Sequence, residues 1–404
     1  MTTNLRRRRT VALGALGAAL LLPIAAESAD YHGRRAWTLK NDKVSLVVTP
    51  GGGHIASLTL NSGPGKNVNP YWLPPWPSVE PGAWAQAGDR YGDKPGAQLV
   101  SCILGHNICL DFFGAPSDAE TKAGIPVHGE APCLNWNSNF HSADRITYSA
   151  NLPIAQMKVT RTIKLTPGSS ALWITEKVDN LSLMDRPFGW QQHVTFGPPF
   201  LQAGATHYDM SATWSKVDPK EFSKGQRLKK GAEFEWPNAP GASGDTVDLR
   251  DYPTQAKNSD FTVSQMDPSR DWVYFTAINP KKRCLVGYIW PRKVWPWGAN
   301  WEENHFRSGH PWNGNGVARG IEFGTSPFAY SKRDAISMGT LHGTPTYRWI
   351  SAKASQTVSY AAFVAPIPSN ATGVKDVRIS GRGVTIQVSV GDATRTINLP
   401  IRRN

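Results

Sequence analysis

The chain has 404 residues, 44 Lys and Arg against 31 Asp and Glu, a formal charge of +13 and 40% hydrophobic residues, a balance that excludes a disordered chain and allows a sizeable core. Sixteen Trp, 37 Gly and 31 Pro against six Met favour strands and loops over long helices. The positive charge raises nucleic acid as a partner, but Lys and Arg are scattered and the densest cluster beyond the leader is only Lys281-Lys282-Arg283, so nucleic-acid binding is not expected.

Residues 1–29 read as an export signal. Arg6-Arg7-Arg8-Arg9 is a basic start, Val11 to Ala26 an apolar stretch, and small residues up to Ala29 suit cleavage. The arginine run also fits twin-arginine export. The apolar stretch is short for a membrane span, so no stable span is expected after its removal and the mature chain belongs in the periplasm or outside the cell. Residues 30–404 read as one β-sandwich domain. In an oxidising compartment Cys102, Cys109, Cys133 and Cys284 allow one or two disulfides, with all three full pairings open. Their spacing suggests no metal site.

The mature chain begins with a predicted hairpin, Ala36 to Leu60, turning at Gly51-Gly52-Gly53. Asn67 to Gly96 is a long loop rich in Pro and Trp, including Trp76; such a loop either stacks on sugar rings or packs on the sandwich edge. Leu99 to Phe113 predicts a strand pair. Ile154 to Leu165 predicts a strand with Met157, Val159, Arg161, Ile163 and Leu165 on one face. In Ala171 to Asn180 the shared face holds Leu172, Ile174, Glu176 and Val178. Phe188 to Phe196 and Thr206 to Trp214 predict further strands, and 215 to 260 reads as an excursion with little regular structure. Strands resume at 261–265, 272–278 and 284–290. A second Trp-rich region, Trp290 to Trp312, includes Trp297. Val317 to Phe323 and four short C-terminal segments complete an all-β, large antiparallel β-sandwich.

Three places join a titratable side chain to a strand edge. His128 lies in Gly124-Ile125-Pro126-Val127-His128-Gly129-Glu130-Ala131-Pro132, where it either contacts substrate or caps a turn. His193 precedes the Gly197-Pro198-Pro199 break and is otherwise a satisfied polar strand residue. Glu322, between Ile321 and Phe323, suits a general base or pairs with Arg319 or Arg333. Glu302, Glu303 and His305 form a rival cluster, in which adjacent carboxylates point to opposite faces.

The order of these motifs, with the early Gly-rich hairpin, resembles the aldose 1-epimerase, or galactose mutarotase-like, family over most of the mature chain. The resemblance implies its large antiparallel sandwich and a mutarotase-type isomerase. Glu322 would take the proton of the anomeric hydroxyl, His193 would protonate the ring oxygen, and His128 would orient the sugar. No cofactor or metal is implied, and the partner would be a monosaccharide or glycan. Asp209, Asp248 and Asp251 are candidates by rough position for the family's sugar-binding aspartate, Asp209 foremost, with Trp76 and Trp297 as stacking residues. The family's Arg-containing motif upstream of His128 is replaced by Gly105-His106-Asn107-Ile108-Cys109. Two other readings remain on such a sandwich: a non-catalytic carbohydrate-binding protein, and a polysaccharide lyase or glycoside hydrolase using Glu302 or Glu303 with His305.

Overall fold

Side-chain alternation sets the layers. In strand Met157–Leu165 every second residue from Met157 is buried, and those between are partly exposed. A strand buries one face in this way when only one side meets a core. The computed structural model describes residues 29–92, 96–220, 222–254 and 257–402; the leader's arginines and apolar stretch lie outside them.

Two large antiparallel sheets stack face to face. At the centre of the 12-stranded sheet, strands His106–Asp111, Arg186–Phe196, Val317–Gly324, Trp297–Asn304 and Asn258–Met266 lie side by side in that order. The eight-stranded sheet includes Met157–Leu165, Ala171–Asn180 and Ser355–Pro366. Between the sheets, Trp190, Val194 and Phe323 pack with Val159, Ile174 and Tyr360. The central strands of the larger sheet are buried on both faces. Their outer face, with Phe261, Ala299 and Trp301, lies under Trp72, Leu99 and Trp312. A three-stranded sheet, Ala371–Ser380, Gly383–Val390 and Ala393–Pro400, covers the far side of the eight-stranded sheet through Val377, Val384 and Ile386 against Trp173, Tyr274 and Phe363.

A buried ion pair of the eight-stranded sheet lies inside the sandwich. Arg161 and Glu176 are cross-strand partners, both fully buried, with Nε to Oε1 at 2.8 Å. Arg161 also donates to the Gly53 carbonyl (2.9 Å) and to Gln192 Oε1 (3.3 Å). Glu176 accepts from Trp190 Nε1 (2.9 Å), Gln192 Nε2 (2.8 Å) and the Tyr360 hydroxyl (2.8 Å). Buried charges persist only when so satisfied. Trp190 and Gln192 belong to the opposite sheet, so the network ties strand Arg186–Phe196 to the eight-stranded sheet.

The structure corrects the sequence reading in places. Leu99 to Phe113 is not a strand pair: Ala97–Cys102 is a helix, followed by strand His106–Asp111. Leu99 and Cys102, three residues apart, bury together, a helical spacing too short to recognise in isolation. Thr206 to Trp214 is two strands in different sheets, His207–Met210 beside Trp272–Asn279 and Ala212–Val217 beside Asn258–Met266. The excursion after 215 contains short strands at Glu233–Glu235, Asn238–Pro240 and Thr246–Asp248 around an apolar cluster of Val217, Leu228 and Leu249. All four cysteines are free and buried. Among the described residues no helix is long and apolar enough to cross a membrane.

Glu176→Gln keeps the shape but leaves the Arg161 charge unmatched. We expect it to lower unfolding free energy by about 3–5 kcal/mol in urea titrations; a loss under about 1 kcal/mol would mean that water reaches the guanidinium.

Candidate functional site

The pleat that turns Trp190, Gln192 and Val194 into the sandwich turns Gln191, His193 and Thr195 outward. His193 stands directly opposite Glu322 on one side and Asn107 on the other. Directly opposed residues share a face, so all three side chains emerge together. His193 Nε2 lies 3.0 Å from Glu322 Oε1, and Nδ1 lies 3.0 Å from the Thr195 hydroxyl. The Thr195 contact holds the ring with Nε2 toward the carboxylate. Glu322 is 1% exposed, yet its Oε2 has no hydrogen-bond partner. Asn107 Nδ2 is likewise buried and unpartnered. Gly320, two residues before Glu322 on the same face, makes room for the carboxylate: a Cβ there would sit 2.6 Å from Oε1.

His128 reaches the same place from a turn. Its φ of 66° is left-handed, and Gly129 follows at 77°. A side chain at Gly129 would collide with the Leu110 carbonyl, so the glycine lets the turn close on strand His106–Asp111. His128 N–H donates to the Gly114 carbonyl (2.8 Å), and Nδ1 accepts from the Gly114 N–H (3.1 Å). The proton therefore sits on Nε2 and is free to donate. The ring lies 5.1 Å from that of His193 and stacks on Phe113 at 5.5 Å. Burial first, then the charges of His193 and Arg307, hold its pKa well below the ordinary imidazole value. Glu130 instead holds a loop: its carboxylate accepts from the Ile154 and Ala155 N–H groups at 3.2 and 2.7 Å.

His128, His193 and Glu322 form one wall of a cavity of about 310 Å³. Trp72, Trp301 and Trp312 form one aromatic group around it, with Trp72 stacked on Trp312 at 5.7 Å. Phe113, Phe222 and Phe261 form another. Trp301 Nε1 is buried without a partner, so this wall keeps an unused donor. Arg307 also lines the cavity. Few polar groups in an apolar enclosure is the usual composition of a small-molecule site.

Of the residues singled out in the sequence, His128, His193 and Glu322 converge here, whereas Asp209, Trp76 and Trp297 do not line the cavity. Asp209 Oδ2 accepts from the Val374 N–H at 2.7 Å, tying the C-terminal sheet to the eight-stranded one. Trp76 stands behind the wall, edge-on to Trp72 and Trp312, with Nε1 donating to the Val100 carbonyl. Trp297 is fully buried and donates to the Pro345 carbonyl. The rival carboxylates point to opposite faces. Glu302 is held by Arg227 (2.9 Å) and Arg319 (3.7 Å), while Glu303 accepts from the Phe306 and Arg307 N–H groups. His305 is exposed and contacts the Gly314 carbonyl. Sequence reasoning missed Asn107, Phe113, Trp301 and Arg307 as site residues. Pairing of Asn107 with His193 was the one signal, and it required the strand register.

His54, His106 and His128 are all held well below the ordinary histidine pKa, each chiefly by burial. The unfolded chain binds protons near pH 6.5 and the folded chain does not, so their contribution is complete above that pH and lost as pH falls below it. Each such histidine adds a slope of about 1.4 kcal/mol per pH unit in that range. His128→Asn, which tolerates the left-handed backbone, should make the loss between pH 7 and 5 shallower by about one proton in urea titrations. An unchanged slope would mean that folded His128 titrates normally.

No protein-family model matches the sequence, and no curated protein matches it significantly. Solved structures match at low identity. A protein from Klebsiella pneumoniae, provisionally named an aldose 1-epimerase, superposes with a TM-score of 0.61 at 14% identity over 83% of this chain and 80% of its own. A galactose mutarotase-like protein from Clostridium acetobutylicum gives 0.55 at 12% identity, covering 84% and 98%. A galactose mutarotase related enzyme from Lactobacillus acidophilus gives 0.52 at 13%, covering 82% and 98%. On sheet architecture and these superpositions together, the chain has the galactose mutarotase-like fold.

Proposed function

We propose that this chain is an exported aldose 1-epimerase-type isomerase that interconverts the anomers of a reducing sugar by proton transfer. One observation carries the reading: His193 Nε2 and Glu322 Oε1 lie 3.0 Å apart on the wall of an aromatic cavity, while the second carboxylate oxygen is buried and unpartnered. A buried acceptor without a partner is costly, and a substrate hydroxyl would relieve it. The names of the Klebsiella and Clostridium proteins point the same way. Export rests on the basic and apolar leader.

In this reading the Glu322 carboxylate takes the proton of the C1 hydroxyl while His193, as the imidazolium with Nδ1–H donating to Thr195, protonates the ring oxygen from Nε2 and is left as neutral imidazole. The C1–O5 bond breaks, C1 becomes an aldehyde, and rotation about C1–C2 exposes its other face. On closure O5 attacks C1, its proton returns to His193, and the carbonyl oxygen regains one from Glu322. Only protons move, so the reaction requires no electron carrier. The direct contact between Nε2 and Oε1 would let the pair reset its proton without solvent. Thr195 orients His193, and His128 donates from Nε2 to a sugar hydroxyl.

NMR saturation transfer on fresh α-glucose and α-galactose tests this. The protein should accelerate anomer exchange, and His193→Ala or Glu322→Gln should each lower kcat by about 100-fold or more. No acceleration for any free aldose, or full activity in His193→Ala, would overturn the proposal.

A further inference from the structure

We infer that the cavity is built for a reducing pyranose bearing an anionic group, a hexuronate being the simplest, and that Arg307 is the side chain that selects it. The inference rests on the anomer-interconverting reading of His193 and Glu322.

Arg307 is the only Lys or Arg lining the cavity among the described residues. It is 39% exposed, so it stands where ligand and solvent both reach it. Glu303 builds its position. One carboxylate oxygen accepts from the Phe306 and Arg307 N–H groups, both at 2.9 Å, and the other lies 3.3 Å from Arg307 Nε. Trp312 and Trp301 support the guanidinium, with its carbon 4.9 and 5.3 Å from their ring centres.

A guanidinium carries five N–H donors in a planar fork. Here Nε faces Glu303, and the guanidinium makes no hydrogen bond to any described residue. Two terminal nitrogens with parallel donors match a carboxylate or phosphate in bidentate fashion. The aromatic rings on which it rests limit its motion, so less freedom is lost on binding.

Charge also sets direction. Glu322 presents an anionic oxygen beside His193, and its like charge would repel an anionic group placed there. Neutral His128 offers no competing cation. An anionic pyranose is therefore oriented with C1 toward Glu322 and its charged end toward Arg307. A neutral hexose fits the same walls but leaves the fork to water. The apolar remainder of the lining would make an unpaired anion prohibitive to bury, so Arg307 decides whether a charged sugar enters at all.

The experiment compares anomer exchange of galacturonate and glucuronate with galactose and glucose, with galactose 6-phosphate as the phosphate arm, for the wild type, Arg307→Gln and Arg307→Lys. The wild type should favour a charged sugar over its neutral counterpart in kcat/KM. Arg307→Gln should lose about 30-fold or more on that sugar, mainly through KM, a loss about tenfold larger than on neutral sugars. Arg307→Lys should retain part of the preference. A preference for the phosphate over the uronates identifies which anion the fork takes and supports the class. Equal wild-type rates on charged and neutral sugars, or equal losses on both in Arg307→Gln, would overturn the assignment of Arg307 and leave the anomer reading intact. If no sugar is turned over, the isomerase reading fails instead. Ligand-observed NMR of galacturonate then decides the inference: binding weakened by Arg307→Gln supports the anion contact, and unchanged binding overturns it.

Discussion

The Arg161–Glu176 pair is the constraint on which the site depends. Two charges buried between sheets are tolerable only if every remaining donor and acceptor finds a partner. Those partners include Gln192 and Trp190 of the opposite sheet. Fixing Gln192 inward fixes the pleat of its strand, and the pleat then fixes His193 outward. A slip by one residue would place the imidazole in the core and an amide in the cavity. A polar network within the sandwich thus sets the register of a strand whose candidate site lies on its other face.

The site is built from unlike materials. His193, Glu322 and Asn107 stand on neighbouring strands, where register alone sets their spacing. His128 comes from a turn held by backbone hydrogen bonds to Gly114 and Leu110. Arg307 comes from an irregular segment gathered by Glu303. In the proposed reading, the side chains that exchange protons stand on paired strands, while those that recognise substrate are on loops. The aromatic residues serve both parts, excluding water and supporting the cation.

Much of the fold was legible because strand alternation is local. The patterns around Arg161 and Glu176 put both on apolar faces, where the structure finds them paired. His128, His193 and Glu322 were legible as types at loop edges, but their meeting depends on strand order, which no short window contains. Arg307 was not legible, because its segment has no periodicity and its role arises from Trp301, Trp312 and Glu303 gathering around it. Asp209 was chosen by rough position along the chain. Its strand belongs to the eight-stranded sheet, because the chain changes sheets at Ser211. Trp76 and Trp297 have the right chemistry, but their indole N–H groups are used by backbone carbonyls away from the cavity.

The C-terminal three-stranded sheet has a consequence for solubility. It covers Trp173, Tyr274, Ile289 and Phe363, which would otherwise form a continuous apolar band on the outside of the eight-stranded sheet. A chain cut at residue 370 keeps every side chain of the cavity and every partner of Arg161, yet bares a surface of the kind that drives self-association. Colloidal behaviour and chemistry are therefore secured by opposite sides of the molecule, and truncation can ruin the first while leaving the second assembled.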